Sequence, residues 1–198
     1  MPEQQIYNAK FCQNTTSFVT NGDSMQNNNY DLAELERYLP FPLRIKTVSR
    51  RQSNAFRHVN NRLEVIHLCF VLNEQEDEVL RLDGTTRVDA GPPLMRITYP
   101  GMLAHHLKCS LRNELFFTYE PEYLEPFKSF GFQNCNFKAS PRFSSIVEDI
   151  EKLLPNSLRP GIADRLDRLA VMLASEAMLS ALNVEEENKN HVNERIFH

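Results

Sequence analysis

Residues 79–88 read Val79-Leu80-Arg81-Leu82-Asp83-Gly84-Thr85-Thr86-Arg87-Val88. Asp-Gly supplies the positive φ angles that a tight two-residue turn requires, and strand-forming residues flank it on both sides, so this stretch predicts a β-hairpin. Upstream, Leu63 to Leu72 becomes apolar on both parities at Leu68-Cys69-Phe70-Val71-Leu72, which predicts a strand buried on both faces. Earlier still, Leu43-Arg44-Ile45-Lys46-Thr47-Val48 alternates as a strand with one wet and one buried face does. Downstream of the hairpin come Gly91-Pro92-Pro93, a strand Leu94-Met95-Arg96-Ile97-Thr98-Tyr99, a turn at Pro100-Gly101, and a strand around Leu115-Phe116-Phe117-Thr118-Tyr119. Short strands broken by Gly and Pro at this spacing predict a closed or nearly closed antiparallel β fold.

The two ends read differently from this middle. Residues 1–30 are polar and rich in Asn and Gln, with a turn signal at Gly22-Asp23; they read as a loosely ordered arm, either a free terminus or an arm that folds over a ligand. A short helix is expected from about Asp31 to Leu39, where Leu32, Leu35 and Leu39 share a face before Pro40 and Pro42 stop it. In the last third, Ser145-Ile146-Val147-Glu148 has the form of a capping box, and Ile146, Val147, Ile150, Leu153 and Leu154 follow on one apolar face. Leu154-Pro155 ends that helix. A longer one is predicted from near Pro160 to about Leu182, with Ile162, Leu166, Leu169, Ala170, Leu173 and Ala177 stepping by three and four. Met172, Met178, Leu179 and Leu182 form a second stripe, which needs a second surface to cover it. From Asn183 the chain turns charged and reads as a solvated linker, and Glu194-Arg195-Ile196-Phe197-His198 resembles the opening turn of a further helix.

Composition narrows the function. The hydrophobic fraction of 41% in 198 residues allows a packed core. The net charge is -4, and the densest basic spot is the doublet Arg50-Arg51, so the chain lacks the clustered positive charge with which a domain grips phosphates. Cys12, Cys69, Cys109 and Cys135 are far apart, without a C-x-x-C pair, which argues against a structural zinc site. There is no basic start followed by an apolar run, and no apolar stretch of the roughly 18 residues a membrane span needs. A cytoplasmic setting without membrane contact is expected. No G-x-S-x-G, P-loop or G-x-G-x-x-G string occurs. The acidic run Glu74-Gln75-Glu76-Asp77-Glu78 reads as a solvated loop, and Cys69 lies in an apolar run unsuited to a reactive thiolate.

Several short strands, the strand His67-Leu68-Cys69-Phe70-Val71-Leu72, the Asp-Gly hairpin, a Pro-Gly turn followed by histidines, two amphipathic helices and a charged tail together resemble the N-terminal cupin domain of AraC-family transcription regulators. The resemblance covers about residues 43 to 182. It implies a mainly β fold with C-terminal helices (α+β), in which a jelly-roll barrel binds a small-molecule effector. It also implies a homodimer through the C-terminal helices, and DNA binding through a helix-turn-helix domain expected beyond His198. The implied organisation is an arm with a short helix at 1–42, a cupin-like barrel at 43–140, a helical dimerisation segment at 141–183 and a linker at 184–198.

Metal-binding cupins carry an H-x-H, a Glu about four residues later, and a further His near the Pro-Gly turn. Laid on this chain, those slots fall on Asn61, Leu63, His67 and His105. Two donors are too few for a stable site, so no metal, no cofactor and no catalysis are expected. The alternatives are a metal-dependent cupin enzyme (isomerase or dioxygenase) or a stand-alone binding cupin.

The candidate ligand contacts are His67, Arg81, Arg96, Tyr99 and His105. His67 reads more readily as a core histidine satisfied by a carbonyl than as a ligand contact; His105-His106 can send at most one ring inward, since neighbouring strand residues point to opposite faces. Arg81 and Arg96, in apolar strands, suit an anionic effector or simple exposure, and Tyr99 suits a pocket mouth or simple packing. The dimer interface is expected at Leu166, Leu169, Leu173 and Met178.

Overall fold

A computed structural model of the chain describes residues 27–55, 60–72, 78–82, 85–89, 93–106 and 111–196. The arm up to residue 26 lies outside the described residues, as do Asp83 and Gly84 of the hairpin turn. The architecture is α+β. Strands β1 (Asn27–Asp31), β2 (Ile45–Ala55), β3 (Asn60–Arg62), β4 (Ile66–Val71), β5 (Glu78–Leu82), β6 (Thr85–Asp89), β7 (Leu94–Thr98), β8 (Leu103–His106), β9 (Leu111–Tyr119) and β10 (Cys135–Asn136) precede or flank helices α1 (Leu124–Ser129), α2 (Pro141–Leu153) and α3 (Ile162–Ile196).

The pairing of eight of these strands is nested. β5 pairs with β6, β4 with β7, β3 with β8 and β2 with β9, all antiparallel, so the middle of the chain forms one long ribbon closed at the predicted hairpin. Leu82 stands opposite Thr85, which leaves the Asp83-Gly84 pair as the connection. Two further pairings, β4 with β9 and β5 with β8, join the ribbon sideways into a six-stranded sheet, β1-β2-β9-β4-β7-β10, and a four-stranded sheet, β3-β8-β5-β6. Gly101, at a φ of 85°, makes the turn that takes the chain from β7 in one sheet to β8 in the other.

One face of the six-stranded sheet is apolar and lies under the helices. Ile66, Leu68 and Phe70 of β4, Met95 and Ile97 of β7, and Leu115, Phe117 and Tyr119 of β9 form one buried cluster with Phe143, Ile146 and Ile150 of α2 and Leu166, Ala170, Leu173 and Ala177 of α3. Alternation in β2 breaks at a bulge: the register shifts between Ile45 and Thr47, so Ile45 and Val48 share this face and Thr47 turns away.

Four expectations need correction. Residues 31–39 are not a helix: Asp31 closes β1, and the segment after it runs as bends, with Leu32 buried and Leu39 exposed. At its end the Tyr38 and Leu39 N–H groups go to the Asp164 carboxylate of α3, and Leu32 N goes to Lys46 O, rather than to a helical ladder. Helix α2 starts at Pro141, earlier than the capping-box string at Ser145; Ser140 Oγ accepts from Phe143 N at 3.0 Å and Pro141 occupies the first turn. Helix α3 does not end near Leu182 but continues to Ile196, through the stretch read as a linker. Glu, Lys and Asn there carry modest helix costs, and no Gly or Pro follows Gly161 to break the helix.

The last correction concerns Leu166 and Leu173 of the expected interface. Leu166 and Leu173 are both 0% exposed within the chain's own core, and Leu169 and Met178 pack against it half-buried. Among the described side chains, the large apolar ones α3 leaves in solvent are Met172, Leu179 and Leu182. Among the described residues, no helix is long and apolar enough to cross a membrane.

Candidate functional site

The second face of the six-stranded sheet is built by the alternate residues of the same strands, and it is polar. Register places its residues in three cross-strand rows. The first runs Asp31, Thr47, Thr118, His67, Thr98; the second Asn29, Ser49, Phe116, Cys69, Arg96; the third Asn27, Arg51, Glu114, Val71, Leu94. Residues directly opposite in an antiparallel pair have their Cβ atoms on one side, about 4.5–5.5 Å apart, so each row is a line of neighbours.

At the centre of the face the polar groups are withdrawn from solvent, while Asn29 and Asp31 on the edge strand are exposed and Thr47, Arg51 and His67 half-buried. Glu114 is 1% exposed and Thr98 2%, and Ser49, Arg96 and Thr118 are buried as well. Withdrawing polar groups from water costs free energy unless each finds a partner, so this face contributes less to stability than an apolar face of the same area. Some partners are internal. Thr47 Oγ1 and Thr118 Oγ1 lie 2.7 Å apart, Thr47 N donates to Thr118 Oγ1 at 3.2 Å, and Ser49 Oγ donates to Asn29 Oδ1. Phe116 is the aromatic centre of the face: the Arg51 guanidinium sits over its ring at 4.4 Å, and the His67 ring is tilted 40° to it at 4.8 Å. Within the second and third rows, Cys69, Val71, Leu94 and Phe116 make a small buried apolar cluster.

The arrangement offers hydroxyls, a carboxylate, an imidazole and two guanidinium groups around one ring, which suits hydrogen-bonding recognition of a small polar molecule. Among the described residues, no group of three or more His, Cys, Asp or Glu stands where it could hold a metal ion.

Of the five residues singled out from the sequence, the structure brings His67 and Arg96 together. They lie on one face, diagonal across the β4–β7 pair, because His67 is opposite Thr98 and Cys69 opposite Arg96. Tyr99 goes elsewhere: half-buried past the end of β7, it meets Phe127 edge-on at 6.3 Å and packs against the helix-side core. Arg81 and His105 are direct register partners in the four-stranded sheet, in a row with Asn60 and Thr86; their side chains lie outside the described residues. Reading the strands singly missed Ser49, Thr98, Glu114, Phe116 and Thr118. The signal was present as period two: Arg96 with Thr98, Glu114 with Thr118, and Thr47 with Ser49 share parity along each strand.

A separate open groove of about 430 Å³ lies on the helix side, between Tyr38 and Leu39 and the start of α3 at Pro160, Gly161, Asp164, Arg165 and Arg168. It is lined by none of the polar-face residues. No protein-family model matches the chain, and comparison with curated proteins gives no significant match.

Proposed function

We propose that this chain is the effector-sensing and dimerising domain of an AraC-type transcription regulator, in which a small polar molecule binds against the polar face of the six-stranded sheet. The observation that carries the reading is that face itself: Ser49, Glu114, Thr118, Arg96 and Thr98 buried and aligned in register around the half-buried His67. The nested pairing of β2 through β9 supports a jelly-roll barrel, since wrapping one long antiparallel ribbon gives two sheets in this strand order. In such a barrel the four-stranded sheet closes over the polar face. The reading assigns binding and not catalysis, no metal or other cofactor, a cytoplasmic setting, and DNA contact only through a separate helix-turn-helix domain.

The second element is the homodimer. Met172, Leu179 and Leu182 are 42%, 58% and 55% exposed along one side of α3. Antiparallel association of two copies of α3 sets Met172 of one against Leu179 of the other and Leu169 against Leu182. It also sets Arg165 of one helix beside the Glu185-Glu186-Glu187 stretch of the other. Effector binding then biases the arrangement of the paired helices, by as much as its affinity differs between arrangements.

Thermal shift of the chain against sugars, carboxylates and small amides tests the binding half. A ligand at 100 times its Kd raises the midpoint by roughly 5–10 °C, and His67→Ala or Thr98→Val reduces that shift. Sedimentation tests the other half: the chain runs as a dimer and the double variant Met172→Glu, Leu179→Glu as a folded monomer. A monomeric wild type removes the dimer from the account.

A further inference from the structure

Between β1 and β2 the chain crosses from the sheet edge to α3 without regular secondary structure, and one guanidinium organises the crossing. Every N–H of Arg37 is engaged. Nε donates to Asp167 Oδ2 at 2.7 Å and Nη2 to Asp167 Oδ1 at 3.4 Å. The others reach carbonyls of the segment itself: Leu32 at 3.1 Å, Leu35 at 2.9 Å and Ile45 at 3.1 Å. Asp167 also accepts from Ile45 N at 2.8 Å, and Asp164, one turn earlier on α3, accepts from Leu39 N at 2.8 Å and Tyr38 N at 3.3 Å. The Arg37 and Asp167 side chains are 3% and 1% exposed. A planar fork with all its donors spent cannot swivel, so residues 32–45 move with α3 rather than as a slack tether.

The same segment is fixed at its other end to the polar face. Leu32 N donates to Lys46 O at 2.8 Å, closing the β1–β2 ladder, and Asn29 of β1 holds the Ser49 hydroxyl within the second polar row. We propose that residues 32–45 are a latch coupling the polar face to the seating of α3. A molecule engaging Asn29 or Ser49 shifts β1 and, through Arg37, the contacts of Asp164 and Asp167. Any change in the seating of α3 acts back on β1 by the reciprocity of linked equilibria. The proposal rests on the reading of the polar face as a ligand site, and it supplies the route by which that site reaches the exposed stripe of α3.

The coupling is measurable without a ligand, by amide hydrogen exchange on the full chain. Ser49→Ala perturbs the polar-face end; Asp164→Asn, nearly isosteric, perturbs the helix end. The latch predicts that Ser49→Ala accelerates exchange of the Tyr38, Leu39 and Ile45 amides by about fivefold, although none of them contacts residue 49. Asp164→Asn accelerates the β1 amides, Asn28 to Asp31, by a similar factor, while Lys152→Ala on the exposed side of α2 alters neither set. Acceleration that stops at the mutated end overturns the latch. If Asp164→Asn does not fold, Ser49→Ala decides alone by the same criterion. Neither readout involves binding, so a failed latch leaves the ligand reading standing, and a failed ligand search leaves the latch standing.

Discussion

The two faces of the six-stranded sheet come from the same strands and differ only in parity. In β4, Ile66, Leu68 and Phe70 join the large core beneath the helices, while His67, Cys69 and Val71 line the other side. In β9, Leu115, Phe117 and Tyr119 go one way and Glu114, Phe116 and Thr118 the other. Both faces are buried at their centres, but burial has different energetic consequences on the two. The apolar face gains the free energy that folds the chain, at about 25 cal/mol per Å² removed from water. The polar face gains little, because each hydroxyl or charge exchanges water for a protein partner at nearly even terms. Stability therefore sits mainly on one parity, and the other is the parity assigned to recognition in the proposed function.

Mutations that ignore this division break the comparison. Phe117→Ala opens a cavity on the apolar side and should lower the unfolding free energy by about 4 kcal/mol in urea titration, with ligand selectivity unchanged in the fraction that folds. Arg37→Ala leaves the Asp167 carboxylate buried without its cation and should cost about 3 kcal/mol by the same measurement, more than any exposed ion pair such as Lys128–Glu125. Thr98→Val keeps the shape of a polar-face side chain. It should change stability by no more than about 1 kcal/mol while removing ligand response, and a loss as large as that of Phe117→Ala would mean the polar face is structural.

Tyr119 sharpens the contrast from the apolar side. Its hydroxyl is buried without a hydrogen-bond partner among the described residues, and burial, with Asp167 nearby, pushes its pKa far above the ordinary value. Tyr119→Phe should leave stability equal or raise it by up to about 1 kcal/mol in thermal melts.

The smallest effect is one of pH. At Asp164 burial pushes the carboxyl up, but the Leu39 and Tyr38 N–H groups and Arg37 outweigh it, and the pKa falls below 3.8. A carboxylate with a lowered folded pKa stabilises above its unfolded value and loses that contribution as pH falls through the folded one. Asp167 has the opposite sign, since burial outweighs Arg37 and raises it. Asp164→Asn should accordingly flatten the loss of stability below about pH 4, seen in melts across that range.

The sequence was most legible where local chemistry decides structure. The Asp83-Gly84 hairpin, the doubly buried Leu68–Val71 run and the Pro100-Gly101 turn all follow from turn geometry and period two. It was least legible where distant groups decide. Residues 31–39 carry a helical spacing of Leu, yet the Tyr38 and Leu39 N–H groups bond the Asp164 carboxylate about 125 residues away. Both stripes of α3 were visible, but not which one the sheet would take: the steady Leu166–Leu173 stripe filled the chain's own core and left Met172, Leu179 and Leu182 outside. His67 and Arg96 stood out as polar residues in apolar strands. Their neighbours Thr98, Glu114 and Thr118 became a site only once register aligned four strands.

The central claim is that the polar parity of the sheet holds a small polar molecule. The most direct measurement is a titration of the isotope-labelled chain with a panel of such molecules, read residue by residue from amide and methyl shifts. The account predicts that a binder moves Ser49, His67, Arg96, Thr98 and Thr118 together, leaves their apolar-parity neighbours nearly still, and binds Thr98→Val at least about tenfold more weakly. A binder that instead moves Tyr38, Arg165 and Arg168 at the helix-side groove, or that binds Thr98→Val as well as the wild type, contradicts it.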